Sequence, residues 1–76
     1  MKEFLEYVAR HLVDHPEAVS FEEEESDNRV IFRLSVDPQD VGKVIGKNGR
    51  TARAMRTLLA AVAARAGKRA ILEIND

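Results

Sequence analysis

The chain has 76 residues, of which 45% are hydrophobic and 33% charged, and its formal net charge is −1. This composition is typical of a small folded protein, and the size predicts a single domain over residues 1–76. The absence of cysteine excludes disulfides and thiolate metal sites. No apolar run approaches the roughly 20 residues that span a bilayer, and no secretory signal pattern is present, so we predict a cytoplasmic protein without a membrane partner.

The first half of the chain predicts one helix followed by two strands. Apolar residues recur at helical spacing over residues 2–13. The expected buried side of this helix consists of Phe4, Leu5, Val8 and Leu12. Alternating apolar and polar residues predict strands over 17–24 and 29–36, and the turn-forming cluster at 26–28 favours an antiparallel hairpin between them.

The second half predicts two helices and a third strand. Residues 37–46 form the first of these helices, with Asp37 as its N-cap, and residues 50–66 form the second. The expected buried face of the second helix consists of Ala52, Met55, Leu58, Leu59 and Val62. A strand over 69–75 follows, and its two-helix connection to the preceding strand favours parallel pairing. The predicted fold is α+β, with order α-β-β-α-α-β and three helices on one face of a three-stranded mixed sheet.

The most informative segment is GKVIGKNGRTARAMR, which spans residues 42–56. It contains Gly-Lys-Asn-Gly at residues 46–49, here called the GKNG loop, between two predicted helices. Glycine has no Cβ and tolerates positive φ, so another backbone can approach closely, and the surrounding cations favour a polyanionic one. The predicted contacts to this ligand are Lys43, Val44, Ile45, Gly46, Lys47, Asn48, Gly49, Arg50 and Arg53. Val41, Val44 and Ile45 are expected to form an apolar floor for the bases.

The distribution of charge supports this prediction. Residues 1–40 carry 4 basic and 11 acidic residues, whereas residues 41–69 carry 8 basic residues and no acidic one. Salt screens charges beyond a Debye length of about 8–10 Å, so the local field matters more than the net charge. The field is therefore expected to be positive around the GKNG loop.

The order of elements and the loop resemble those of known type II KH domains. The segment Ile45-Gly46-Lys47-Asn48-Gly49-Arg50 resembles the GXXG signature, which clamps about four nucleotides, and the whole chain resembles the small bacterial KH proteins of the KhpA family. This resemblance implies single-stranded RNA binding in the cytoplasm, as an RNA chaperone or post-transcriptional regulator. It also implies pairing with a KhpB (Jag)-type KH protein, and we predict a homodimer, this heterodimer, or both. Ala52 departs from the branched aliphatic residue that many KH domains have at that position.

Other interpretations of the sequence have weaker support. The GKNG loop could be a helix–helix elbow in which glycine only relieves strain. A P-loop is excluded, because Gly42 and Gly46 are one residue too close and Asn48 replaces the Ser/Thr after the lysine. His11 and His15 have the spacing of metal ligands, but no third ligand supports them, so a surface or capping role is favoured. With no nucleophile–base pair, metal or cofactor, we predict a non-enzymatic protein.

The second long helix has a further candidate surface. Small residues lie opposite its predicted buried face, at Thr57, Ala60, Ala61 and Ala64. Small side chains allow a second helix to approach, so these residues are a candidate dimer interface. Helix propensity alone is the competing explanation, since alanine is the best helix former. The alternative function that follows is a dimerising adaptor in which RNA binding is secondary.

Overall fold

The computed structural model describes residues 2–75, and its helices and strands follow the predicted order. They are α1 (Lys2–Leu12), β1 (Ser20–Glu25), β2 (Arg29–Ser35), α2 (Val41–Ile45), α3 (Arg50–Arg65) and β3 (Arg69–Asn75), with 3-10 turns at Pro16–Ala18, Pro38–Asp40 and Lys47–Gly49. The α+β fold and the order α-β-β-α-α-β are confirmed.

The sheet has β2 at its centre. β2 pairs antiparallel with β1, so that Phe21 lies opposite Leu34, and parallel with β3, so that Phe32 lies opposite Leu72. Both predicted pairings are correct. β1 begins at Ser20 rather than at residue 17, because Pro16–Ala18 form a 3-10 turn in which the N–H groups of Ala18 and Val19 donate to the carbonyls of His15 and Pro16.

The core lies between the sheet and the helices. Alternation along β2 and just beyond it directs four apolar side chains toward the helices, and all are buried: Val30, Phe32, Leu34 and Val36. Arg33 lies on the opposite face, where its guanidinium pairs with Glu24 on β1 at 2.8 Å and with Glu73 on β3 at 3.1 Å. The open face is therefore tied across all three strands by charged groups, while the helix-covered face is apolar.

The buried side of α1 differs from the prediction. Leu5, Ala9 and Val13 are buried, at i, i+4 and i+8, whereas Phe4 is 54% exposed and Leu12 is 37% exposed. The predicted burial of Phe4 and Leu12 was wrong because large apolar residues were used to define the face. Ala9 is fully buried instead, since a small side chain allows the helix to pack close against its neighbours.

The buried face of α3 is also rotated relative to the prediction. Its buried residues are Ala52, Met55, Leu59 and Ala63. Leu58 is 46% exposed and Val62 is 40% exposed, so their predicted burial was wrong. Ala63 is buried where the prediction placed Leu58 and Val62, and this leaves two large apolar side chains on the flank of the helix.

Two adjacent leucines allow a matched test of this packing. Leu59 is 1% exposed and belongs to the core, whereas Leu58 is 46% exposed. We expect Leu59→Ala to lower the free energy of unfolding by about 2–5 kcal/mol, because it leaves a cavity. Leu58→Ala should change it by less than about 1 kcal/mol. Urea unfolding at low protein concentration measures both values, and equal losses would contradict the observed orientation of α3.

Candidate nucleic-acid interface

The segment that carries the GKNG loop begins with a capped turn. The side chain of Asp37 accepts a hydrogen bond from the N–H of Gln39 at 2.9 Å, which confirms its predicted capping role, and the Pro38–Asp40 turn leads directly into α2. At the end of α2, the N–H of Gly46 donates to the carbonyl of Gly42 at 2.9 Å. The chain leaves the helix there, because Gly46 has a φ of +82°.

The backbone reverses between α2 and α3 through three residues with positive φ. These are Gly46 at +82°, Asn48 at +58° and Gly49 at +74°. Glycine adopts this region without steric penalty, and asparagine is among the few other residues that visit it. The N–H of Gly49 donates to the carbonyl of Gly46 at 3.0 Å and closes the turn. The sequence Gly-Lys-Asn-Gly therefore matches the backbone conformation residue by residue.

Gly46 has a second reason to be glycine, which is a close contact with α3. A Cβ at this position would lie 2.3 Å from Oγ1 of Thr51 and 2.8 Å from its backbone nitrogen. The loop is thus folded tightly onto the first turn of α3. A Cβ at Gly49, in contrast, would meet no atom within 4 Å, so that glycine is required by its φ alone.

Donors and cations accumulate where α3 begins. The backbone N–H groups of Lys47 and Asn48 have no hydrogen-bond acceptor within residues 2–75. No side chain caps α3, and its first turn has no acidic residue, so the positive end of the helix dipole is uncompensated. The side chains of Lys47, Arg50 and Arg53 are exposed, and none pairs with an acidic residue in the described part of the chain.

Lys43 differs from these three cations. Its Nζ lies 3.0 Å from Oδ2 of Asp14 and 3.7 Å from Oδ1 of Asp40. The hydrogen bond and charge of Asp14 raise the pKa of Lys43, and its burial opposes this only in part. Lys43 is therefore a fixed member of an ion-pair cluster, although the sequence grouped it with the free cations.

Of the three apolar residues expected to form a floor for the bases, Val44 is not available to them. Val44 is fully buried, so its side chain supports the loop from within the core and offers no surface to a ligand. Val41 and Ile45 are partly buried, and Val41 packs against the core. Ala52, which departs from the KH pattern, is 1% exposed and lies on the buried side of the first turn of α3.

A groove between α3 and the edge strand β3 was missed by the sequence analysis. It has a volume of about 360 Å³ and is lined by Arg56, Leu59, Ala60, Ala70, Ile71 and Leu72. The predicted topology already indicated it, since β3 was expected to pair with only one neighbouring strand and therefore to lie at the edge of the sheet. An edge strand keeps one row of backbone N–H and C=O groups free for a ligand.

The candidate dimer residues lie on the outer surface of α3. Thr57, Ala60, Ala61 and Ala64 are all exposed, and the Thr57 hydroxyl donates to the carbonyl of Arg53 at 3.0 Å. The exposed side chains of Leu58 and Val62 adjoin them. The outer surface of α3 is thus basic at its N-terminal end and largely apolar beyond it.

Both histidine residues have hydrogen bonds within the fold. The ring Nδ1 of His11 donates to the carbonyl of Tyr7 at 2.9 Å, and the backbone N–H of His15 donates to Oδ2 of Asp40 at 3.0 Å. Within residues 2–75, no three potential metal ligands come together. None of the helices in the same range has the length and apolarity to cross a bilayer.

The two glycines at the ends of α2 provide a matched test of the loop geometry. We expect Gly46→Ala to lower the free energy of unfolding by more than about 2 kcal/mol, because positive φ and steric overlap both oppose a side chain there. Gly42→Ala should raise it by about 0.4–1 kcal/mol, since its Cβ meets open space and the unfolded chain loses freedom. Urea unfolding compares the two, and similar effects would contradict the observed contact with Thr51.

Comparison with known proteins agrees with the geometry. The family described as "KhpA/KhpB, KH domain" matches residues 2–74. A protein of Chlamydia pneumoniae named "RNA-binding protein KhpA" is 51% identical over 76 residues, which is 100% of this chain and 97% of the relative. Proteins with the same name from Aquifex aeolicus, 47% identical over 100% and 96% of the two chains, and Clostridium acetobutylicum, 46% identical over 97% and 99%, are also similar. The chain belongs to the KhpA/KhpB KH-domain family.

Proposed function

We propose that this chain binds single-stranded RNA at the GKNG loop and the first turn of α3, without catalysing a reaction. The observation that carries the proposal is the set of donors at this point. The N–H groups of Lys47 and Asn48 and the side chains of Lys47, Arg50 and Arg53 have no acidic partner or acceptor within residues 2–75. A helix N-terminus with open amides and cations binds phosphate oxygens. The names of the KhpA relatives support RNA as the polyanion.

The absent side chains of Gly46 and Gly49 give the sugar-phosphate backbone room to approach the loop. We propose that the contacts are made by Ile45, Gly46, Lys47, Asn48, Gly49, Arg50 and Arg53. Val44 fixes the loop from beneath, because it is fully buried in the core. Two residues of the sequence-based set differ from these: Val44 acts indirectly, and Lys43 is paired with Asp14 and Asp40.

Bases fit the groove between α3 and β3. Leu59, Ala60 and Ile71 provide an apolar lining, and Arg56 provides a planar cation at its wall. Arg56 lies six residues after Arg50, which corresponds to about 9 Å along a helix. The free edge of β3 offers hydrogen-bonding groups to base edges. Only an unpaired strand exposes its bases in this way, which favours single-stranded RNA over a duplex.

The number of contacts sets the expected strength of binding. Three free cations at the loop imply a slope of about −2 in a plot of log K against log salt, at about −0.7 for each phosphate of a single strand. Affinity should therefore be low for one copy and increase when two copies are linked or paired. The family resemblance supports a role as an RNA chaperone or post-transcriptional regulator, and both roles are compatible with weak contacts.

A charge reversal in the loop tests the proposal. We expect Lys47→Asp/Asn48→Asp to reduce affinity for a labelled single-stranded RNA by more than tenfold, because two carboxylates then face the phosphates. Circular dichroism should stay unchanged, since both side chains are exposed. The matched control is Asn28→Asp/Arg29→Asp, which makes the same change of charge at two exposed residues, the last of the β1–β2 turn and the first of β2. RNA binding by the loop variant that equals that of the control would reject the loop as the site.

Pairing through α3 is a second candidate function, and the exposed apolar flank of α3 favours it. Leu58 and Val62 are 46% and 40% exposed beside the small residues Ala61 and Ala64. A helix with small outer side chains and two larger ones beside them can pack against another helix. We propose that this surface pairs two copies of the chain or one copy with a KhpB (Jag)-type KH protein, and that the chain then acts as an adaptor.

A buried charge would disrupt such pairing. We expect Ala61→Asp to shift the chain from dimer to monomer in size-exclusion chromatography with light scattering, because an unpaired carboxylate at a helix contact is unfavourable. Ala18→Asp, at an exposed position in the Pro16–Ala18 turn, is the control and should leave the mass unchanged. A parent chain that is monomeric at every concentration tested would contradict self-pairing, and a mass unchanged by Ala61→Asp would contradict this face.

A further inference from the structure

We propose that Asp40 is a positioning residue for the GKNG loop, and that Lys43 serves as its electrostatic partner rather than as a contact to RNA phosphate. This inference rests on the proposed RNA binding at the loop and adds how the loop is held. It assigns Lys43 a different role from the one that the sequence pattern predicts.

Asp40 is an unusual residue in this small protein. It is 1% exposed and is the one buried polar or charged residue in the part of the chain that the structure describes. Its Oδ2 accepts a hydrogen bond from the N–H of His15 at 3.0 Å, in the connection that follows α1. Asp40 precedes α2 directly, so this bond ties the start of α2 to the segment between α1 and β1.

α2 needs such a tie because it has only five residues. Isolated helices shorter than about 12–15 residues are marginal in water, so tertiary contacts must fix the direction of α2. Val44 provides an apolar anchor at one point, and Asp40 provides a polar anchor at the start. At the rise of an α-helix, Gly46 lies about 9 Å from Asp40 along the axis of α2. A tilt of α2 by about 10° would therefore displace Gly46 by about 1.5 Å. A binding site requires its groups within about 0.5 Å of the productive position.

The second oxygen of Asp40 explains the role of Lys43. Oδ1 is buried and accepts no hydrogen bond in the described structure, and the Nζ of Lys43 is 3.7 Å away. Asp14 holds the same ammonium group at 3.0 Å. Movement of Lys43 to an RNA phosphate would leave the buried Oδ1 of Asp40 without its counter-charge, which is strongly unfavourable. The exposed ion pair that Lys43 would gain with the phosphate contributes little in return. Lys43 is therefore expected to stay with Asp40 when RNA binds.

The ionisation of Asp40 is consistent with this arrangement. Burial alone would raise the pKa of Asp40, but the backbone N–H groups of His15 and Asp14 and the nearby charge of Lys43 outweigh it, so the pKa lies below its ordinary value. The carboxylate is thus charged at neutral pH and remains both an acceptor for His15 and a partner for Lys43.

The salt dependence of RNA binding separates the two roles of a lysine. We expect Lys47→Gln to weaken binding and to make the slope of log K against log salt shallower by about 0.7, because one phosphate contact is lost. Lys43→Gln should weaken binding three- to tenfold with an unchanged slope, because the loop shifts while the phosphate contacts remain. Lys43→Arg, which keeps the charge beside Asp40, should restore the affinity of the parent. A slope that changes equally for Lys43→Gln and Lys47→Gln would overturn the proposal.

A double-mutant cycle tests the coupling to Asp40. The losses of RNA affinity caused by Asp40→Asn and Lys43→Gln should be non-additive. The double variant should bind RNA as tightly as the single variant that has the lower affinity. Additive losses would overturn the proposal. If Asp40→Asn fails to fold, the salt slopes of Lys43→Gln and Lys47→Gln still decide the outcome.

The free protein provides a test that does not depend on RNA. In a two-dimensional amide spectrum, Lys43→Gln should shift the signals of Gly46 to Arg50 while that of Leu72, in the sheet, stays in place. Unshifted loop signals would overturn the positioning role. If the parent does not bind RNA but these shifts occur, the proposed function fails while the positioning role stands, so the two failures are distinguishable.

Discussion

The close contact between Gly46 and Thr51 is the constraint on which the candidate site depends. Because Gly46 has no Cβ, the chain can leave α2, turn through the GKNG loop and enter α3 against the backbone of Thr51. Val44 before the loop and Ala52 after it are both buried, so the two helices are anchored in the same core on either side of the turn. A flexible loop would have to lose entropy on binding a ligand, whereas this one is already ordered by its scaffold.

The same packing separates the charges of the chain into two groups. Several cations are paired with acidic residues, in the pairs Arg10–Glu6, Arg33–Glu24, Arg33–Glu73, Lys43–Asp14, Lys43–Asp40 and Lys68–Glu25. The cations from Lys47 to Arg56 have no such partner within residues 2–75, since residues 41–69 contain no acid and the elements that carry acids lie elsewhere. A net charge of −1 for the whole chain therefore coexists with an uncompensated positive surface at the loop. A phosphate at the loop responds to charges within about one Debye length, and those charges are positive.

The sequence predicted the strands and the loop well because short-range rules govern them. Alternation along β2 identifies its buried residues, and the glycine spacing identifies the turn with positive φ. The faces of α1 and α3 were predicted less well, because the small residues Ala9 and Ala63 are buried while Phe4 and Leu58 are exposed. That outcome depends on how closely each helix approaches the sheet, which a hydrophobic pattern does not specify. The ion pair between Lys43 and Asp14 joins residues distant in sequence, so no local pattern indicates it.

The arrangement of α3 connects the two proposed activities. Its N-terminal end carries Arg50 and Arg53 beside the GKNG loop, and its outer surface farther along carries Ala61 and Ala64. α3 has 16 residues and is about 24 Å long, so pairing through its outer surface at Ala61 and Ala64 would hold two loops at a fixed separation. Two weak sites at fixed separation act on one RNA strand with a high effective concentration. Under these proposals, one loop makes too few phosphate contacts for tight binding. Pairing through the apolar flank of α3 supplies the RNA affinity that a single copy lacks.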